Sequence, residues 1–144
     1  MLLRSTIPPQ ITIIKQYGAI DSNIDCFPGQ LNQVFMNIIN NAVQAIKAKK
    51  QLGSESITIA TMRDESHFYI RITDTGVGMS KEVKMKVFDP FFTTKKVGEG
   101  TGLGLSIVHK IIEKHGGKIN VTSTIGEGTT FAIQLAIHPT NRYS

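Results

Sequence analysis

Six carboxamides, Gln30, Gln33, Asn37, Asn40, Asn41 and Gln44, fall on one stripe of a single amphipathic segment. From Gln30 to Lys47 the chain reads Gln-Leu-Asn-Gln-Val-Phe-Met-Asn-Ile-Ile-Asn-Asn-Ala-Val-Gln-Ala-Ile-Lys. At ~100° per residue, Leu31, Val34, Phe35, Met36, Ile38, Ile39, Ala42, Val43, Ala45 and Ile46 cover an arc of roughly 200°, and only Asn32 falls on the wrong side. A solvated stripe normally carries Lys and Glu, which are better helix formers. Each Asn costs roughly half a kcal/mol or more relative to Ala. Asn37, Asn40 and Asn41 together are a cost that folding alone does not explain. A carboxamide offers a neutral oxygen to a hard cation and an NH2 group to an anion. The stripe therefore suits the wall of a binding site. A polar face bonded to neighbouring loops would use the same residues.

Two glycine-bearing segments offer complementary chemistry. Asp74-Thr-Gly76-Val-Gly78-Met79 follows a run that alternates like a strand. Its glycines let backbone approach a ligand closely, and a carboxylate at a strand end can accept a hydrogen bond from an exocyclic amine. A turn whose Asp caps the next helix is the plain alternative. Gly98-Glu-Gly100-Thr101-Gly102-Leu103-Gly104-Leu105-Ser106 runs directly into a second amphipathic segment. Free N–H groups at a helix start form an anion site, and phosphate is its natural guest. Lys95, Lys96 and Thr101 could add donors. A dinucleotide-binding turn would need a buried parallel strand in front of the glycines, and Asp-Pro-Phe-Phe-Thr-Thr-Lys-Lys is not one. The chain also lacks the P-loop pattern Gly-x-x-x-x-Gly-Lys-Ser/Thr.

Composition narrows the class. A chain of 144 residues, 40% hydrophobic and 19% charged, suits one globular domain with a real core. No apolar run approaches the ~20 residues that span a bilayer, and the first residues hold no signal-peptide stretch. The lone Cys26 excludes an internal disulfide and suits a reducing compartment, with a small, half-buried apolar role. The net charge of +5 comes from scattered lysines with few aromatics among them, which argues against nucleic acid.

The elements that must position these groups follow from periodicity. Residues 1–10 read as a tail, 11–138 as the domain and 139–144 as a second tail. Strands are expected at Ile11 to Tyr17, Ile24 to Phe27, Ile57 to Thr61, Phe68 to Thr73, around Ile119 and Val121, and from Phe131 to Ile137. Asp74 stands at the end of the fourth. Leu105, Val108, Ile111 and Ile112 share one helical face, which stops at His115-Gly116-Gly117, a glycine-rich C-cap signal. Three helical segments against an antiparallel-rich sheet give an α+β two-layer sandwich.

Taken in order, the motifs resemble the catalytic ATP-binding domain of sensor histidine kinases, within the wider gyrase and heat-shock ATPase superfamily. Asn37-Ile-Ile-Asn-Asn41-Ala is similar to the N-box, and Asp74-Thr-Gly-Val-Gly78 to the first glycine box. Phe88-Asp-Pro-Phe-Phe is similar to the F-box, and Gly100-Thr-Gly-Leu-Gly104-Leu to the second glycine box. Gly128-Thr129-Thr-Phe131 is similar to the closing strand motif. The resemblance runs from about Ile11 to Ile137 and is nearest the nitrogen-regulation and sporulation branches.

The resemblance implies a mixed five-stranded sheet and a site for ATP and Mg2+. Asn41 would bind Mg2+ through its side-chain oxygen, with Asn37 helping to hold the metal or phosphates. Asp74 would accept the adenine amino group, Gly76 and Gly78 would admit the base, and Thr129 would sit near it through water. Gln44, Met79 and Leu105 complete the expected nucleotide contacts. Lys95, Thr101, Gly102, Leu103 and Gly104 belong to a lid over the phosphates. Hydrolytic relatives carry Glu where this chain has Asn37, and an amide cannot act as a base toward water. The γ-phosphoryl would then be kept for a histidine. The family's acceptor lies on a dimerising helical hairpin, for which there is no room before Ile11. His67 at a strand start, His109 and His115 on the second amphipathic helix and His138 before Pro139 lack the acceptor motif. The chain thus reads as part of a longer, cytoplasmic kinase, which leaves open a membrane anchor in the parent. Alone it is expected to be monomeric or weakly associating. Its partners would be the histidine-bearing helices of its own kinase and a response regulator. Two alternatives are a free-standing serine kinase of the anti-sigma type and a nucleotide-sensing module without transfer activity.

Overall fold

Pro28 can open a helix because its fixed φ suits the first turn, where a missing N–H costs nothing. Helix α1 runs Pro28–Lys47. In this computed structural model, which describes residues 8, 10–17, 28–50, 52–89 and 104–136, α1 buries Val34, Ile38, Ile39, Ala42, Val43 and Ile46. These are the apolar positions the helical period singles out.

Strand β1 is Thr12–Tyr17. Ile11, expected to start it, lies just before it and is buried. Strands β2 (Ser56–Arg63) and β3 (His67–Asp74) form an antiparallel hairpin. Asp64 shapes its turn by accepting from the Ser66 and His67 amides at 2.9 and 2.7 Å. The short helix α2 (Lys81–Lys86) is capped by Ser80, whose Oγ accepts from the Val83 amide at 3.2 Å. Helix α3 (Gly104–Lys114) buries Ser106, Val108, Ile111 and Ile112. It ends as the glycines require: Gly116 takes φ +71°, and the Gly117 amide reaches back to the Ile112 carbonyl at 2.9 Å. His115, expected on the helix, stands one residue past it and is buried. Strands β4 (Lys118–Thr124) and β5 (Gly128–Ala136) close the chain's second hairpin.

The sheet order is β1-β2-β3-β5-β4, with β1 parallel to β2 and all other pairs antiparallel. Among the described residues, a mixed five-stranded sheet with three helices makes the expected α+β sandwich. Ile57, Ile70, Ile72, Phe131, Ile133 and Leu135 form the sheet side of the core, against α1 and α3. Phe88 is partly buried against that core, its ring 5.2 Å from His109 and 6.3 Å from Phe131. Register then sets the site. Asp74 pairs with Ile57 on one side and Thr129 on the other. The expected strand at Ile24 to Phe27, Cys26, Phe91, Phe92, Ile137, His138 and most of both tails lie outside the described residues.

Candidate functional site

Asp74 ends a central strand and is only 3% exposed. Its Oδ1 accepts from the Gly76 amide at 2.8 Å, and the Thr129 amide donates to the same carboxylate. Burial pushes the carboxyl up to about 6, against those two hydrogen bonds. A carboxylate has about four acceptor positions, so this one keeps capacity after its two protein donors.

The turn after Asp74 presses on α1. A Cβ on Gly76 would lie 2.6 Å from the carbonyl carbon of Ala45. The Val77 amide donates to the Ala45 carbonyl at 3.0 Å. Gly78 holds φ +74°, and any Cβ there would strike the Thr124 carbonyl. The Met79 amide donates to Ser123 Oγ at 2.8 Å, and that hydroxyl lies 3.0 Å from the Gly128 carbonyl and 2.7 Å from Thr129 Oγ1. Met79 itself is partly buried against the core.

The amide stripe of α1 runs along the same helix. Asn37 and Asn41 are half-buried, whereas Gln33, Asn40 and Gln44 are exposed. Asn37 Nδ2 donates to the Gly104 carbonyl at 3.1 Å, tying α1 to the first residue of α3. Leu105, the next residue, is partly buried against the core. The Asn41 carboxamide has no hydrogen-bond partner among the described residues. Asn37, Asn41 and Ala45 are spaced by four and share one helical face. That face therefore runs from Gly104 at one end to the Gly76 turn at the other. Lys95, Thr101, Gly102 and Leu103 lie outside the described residues. Among the described residues there is no cluster of three or more His, Cys, Asp or Glu able to hold a metal. A hard cation here would depend on amide oxygens and on ligands that arrive with it.

Sequence reasoning missed the residues that brace the turn. Glu55 is 3% exposed and accepts Lys49 Nζ at 2.9 and 3.0 Å, the Gly53 amide at 2.8 Å and Thr75 Oγ1 at 2.8 Å. These donors, the Gly53 amide foremost, hold its carboxyl down at about 2 despite its burial. The only sequence signal was a Glu placed where β2 begins, in a run otherwise apolar and hydroxylic.

The geometry matches known proteins. Residues 27–139 fit the family model described as histidine kinase-, DNA gyrase B- and HSP90-like ATPase. The catalytic domain of the histidine kinase ThkA superimposes with TM-score 0.76 at 30% identity, over 90% of this chain and 82% of that one. The chain belongs to this family. It is an ATPase domain of the sensor histidine kinase type, and that membership implies ATP as its ligand. Sporulation kinase E of Bacillus subtilis (strain 168) is 42% identical over 114 residues, which is 79% of this chain and 15% of that protein. The signal transduction histidine-protein kinase AtoS of Escherichia coli (strain K12) is 46% identical over 109 residues, or 76% of this chain and 17% of its own length. This ATPase domain thus spans about a sixth of these two relatives. Among its described residues, no helix is long and apolar enough to cross a membrane.

Proposed function

We propose that this domain binds Mg-ATP along the α1 face, with adenine at Asp74 and the phosphates toward the start of α3. We further propose that it donates the γ-phosphoryl to a histidine on a dimerisation domain of the same kinase. A response regulator is the downstream acceptor, and the cytoplasm is the compartment. Asp74 carries this reading: a buried carboxylate with unused acceptor capacity, beside a glycine turn with no room for a side chain. A purine amino group supplies the missing donor.

Gly76, Gly78 and Met79 shape the base-side wall, and Thr129 supports Asp74 through its amide. Asn41 would hold Mg2+ through Oδ1, along with nucleotide phosphates and water, because Mg2+ keeps much of its hydration. The ion would neutralise phosphate charge during transfer. Gln44, Leu105, Gly104 and the Lys95, Thr101, Gly102 and Leu103 segment belong to the phosphate side. In the transfer, an imidazole nitrogen forms a bond to the γ-phosphorus as the bond to the ADP oxygen breaks. Asn37 spends its NH2 group on Gly104 and cannot take a proton from water, so ATP is kept for the histidine.

The test is a labelling assay with dimerisation helices supplied in trans. An acid-labile phosphoryl group should appear on the helices and vanish with Asn41→Ala. Rapid labelling of the isolated chain, or hydrolysis at several turnovers per second, would overturn the transfer reading.

A further inference from the structure

We infer that Lys49, Glu55 and Thr75 form a positioning lock that aims Asp74 at the adenine amino group and so sets base selectivity. This rests on the assignment of Asp74 as the adenine acceptor. Thr75 lies between Asp74 and Gly76, and every polar group it has is engaged. Its amide donates to the Ser56 carbonyl at 3.2 Å. Its Oγ1 accepts from the Ser56 amide at 3.0 Å and donates to Glu55 Oε1 at 2.8 Å. Its carbonyl accepts from Lys49 Nζ at 3.1 Å.

That last bond reaches Asp74 through one rigid unit. The Thr75 carbonyl and the Gly76 N–H belong to the same planar peptide and point in opposite directions. Lys49 holds the carbonyl end. The N–H end then points at Asp74 Oδ1, 2.8 Å away. Rotating this peptide would break both bonds at once. Glu55 keeps Lys49 in place with both carboxylate oxygens and is itself anchored by the Gly53 amide. The lock also starts at Lys49, two residues past the end of α1, so it orients Asp74 relative to the helix that carries Asn37 and Asn41. None of its three side chains needs to touch nucleotide. Lys49, Glu55 and Thr75 are positioning residues.

The experiment compares two ligands of the whole chain by calorimetry: ATP and purine riboside 5′-triphosphate, which lacks the 6-amino group. The unaltered chain should prefer ATP at least tenfold. Lys49→Met and Thr75→Val should each shrink that preference at least threefold, while affinity for the purine riboside triphosphate stays within twofold. Thr75→Ser keeps the hydroxyl and should keep the preference. Lower melting temperatures with an unchanged preference in both Lys49→Met and Thr75→Val would make the lock purely structural and overturn the inference. Asp74→Asn separates the two claims. If it leaves the preference intact, the adenine assignment itself fails. If it removes the preference while the lock variants do not, only the lock fails.

Discussion

Glu55 and Asp74 are equally buried, each 3% exposed, and Thr75 lies against both, yet they are treated in opposite ways. Glu55 receives an ammonium, a backbone amide and a hydroxyl, and its carboxyl is held down at about 2. Asp74 receives two backbone amides and no cation, and its carboxyl rises to about 6. Burial is the foremost cause of the rise at Asp74, whereas at Glu55 the Gly53 amide, Lys49 and Thr75 outweigh it. A carboxylate saturated by its own protein is spent on structure, whereas one left short of donors holds affinity in reserve for a ligand.

The sharpest way to break this contrast is Asp74→Asn. It should weaken ATP binding roughly tenfold to a hundredfold, the worth of a hydrogen bond to a charged group at ~1.5–3 kcal/mol. The same change should stabilise the empty protein at neutral pH. Its folded carboxyl stands near 6 against an ordinary 3.8, so keeping it charged costs up to roughly 3 kcal/mol above both values. Calorimetry and urea unfolding read the two effects. Equal or lower stability of the ligand-free variant at pH 7 would remove the reserve from the argument.

Glu55→Ala should do the reverse. It strips partners from Lys49, the Gly53 amide and the Thr75 hydroxyl, and should destabilise the fold by about 2 kcal/mol. That figure sits below the usual cost of a broken buried pair because Lys49 is 27% exposed and can rehydrate. Urea unfolding at pH 7 is the measurement.

A pH series separates the carboxylates without changing their shape. Asp74 has a raised folded value, so its contribution is most favourable below about 3.8 and is lost as pH rises through about 6. Glu55 has a lowered folded value, so its contribution is full above 4.5 and is lost as pH falls toward 2. Stability should therefore rise from pH 7 to near 5 and fall below 4.5. Asp74→Asn should flatten the upper limb, and Glu55→Gln the lower one. The smallest effect is expected from Ser123→Ala. Losing the hydroxyl that serves Met79 should cost about 1 kcal/mol in thermal or urea unfolding, with a minor effect on ATP affinity.

What the sequence made legible was whatever repeats or punctuates locally. The α1 stripe, the Phe68 to Asp74 alternation and the His115-Gly116-Gly117 stop each announce themselves within a few residues. Asp74 stood out because glycines follow it. Lys49, Glu55 and Thr75 did not, because they come from a helix end, a strand start and a turn that only the β2–β3 register brings together. Ser123 stayed hidden for the same reason: its hydroxyl matters only once β4 lies beside the Gly78 turn. The parallel pairing of β1 with β2 also has no local signature. The bond from Asn37 to Gly104 joins two expected site residues in a contact that neither motif suggests alone.

The last turn of α1 tightens, with the Lys49 amide bonding the Ile46 carbonyl at 3.1 Å, and this leaves the Ala45 carbonyl for Val77. Asn37 grips Gly104 eight residues earlier, about 12 Å along the axis and just over two turns away. The helix thus acts as a ruler whose two marks are an amide and a carbonyl. Surface substitutions along it leave the spacing untouched. One residue inserted or deleted between the marks would swing one by ~100° relative to the other, so that no repacking could satisfy both. Variation in this segment is therefore expected to run through residue exchange, with changes of length confined to the stretch beyond Lys49.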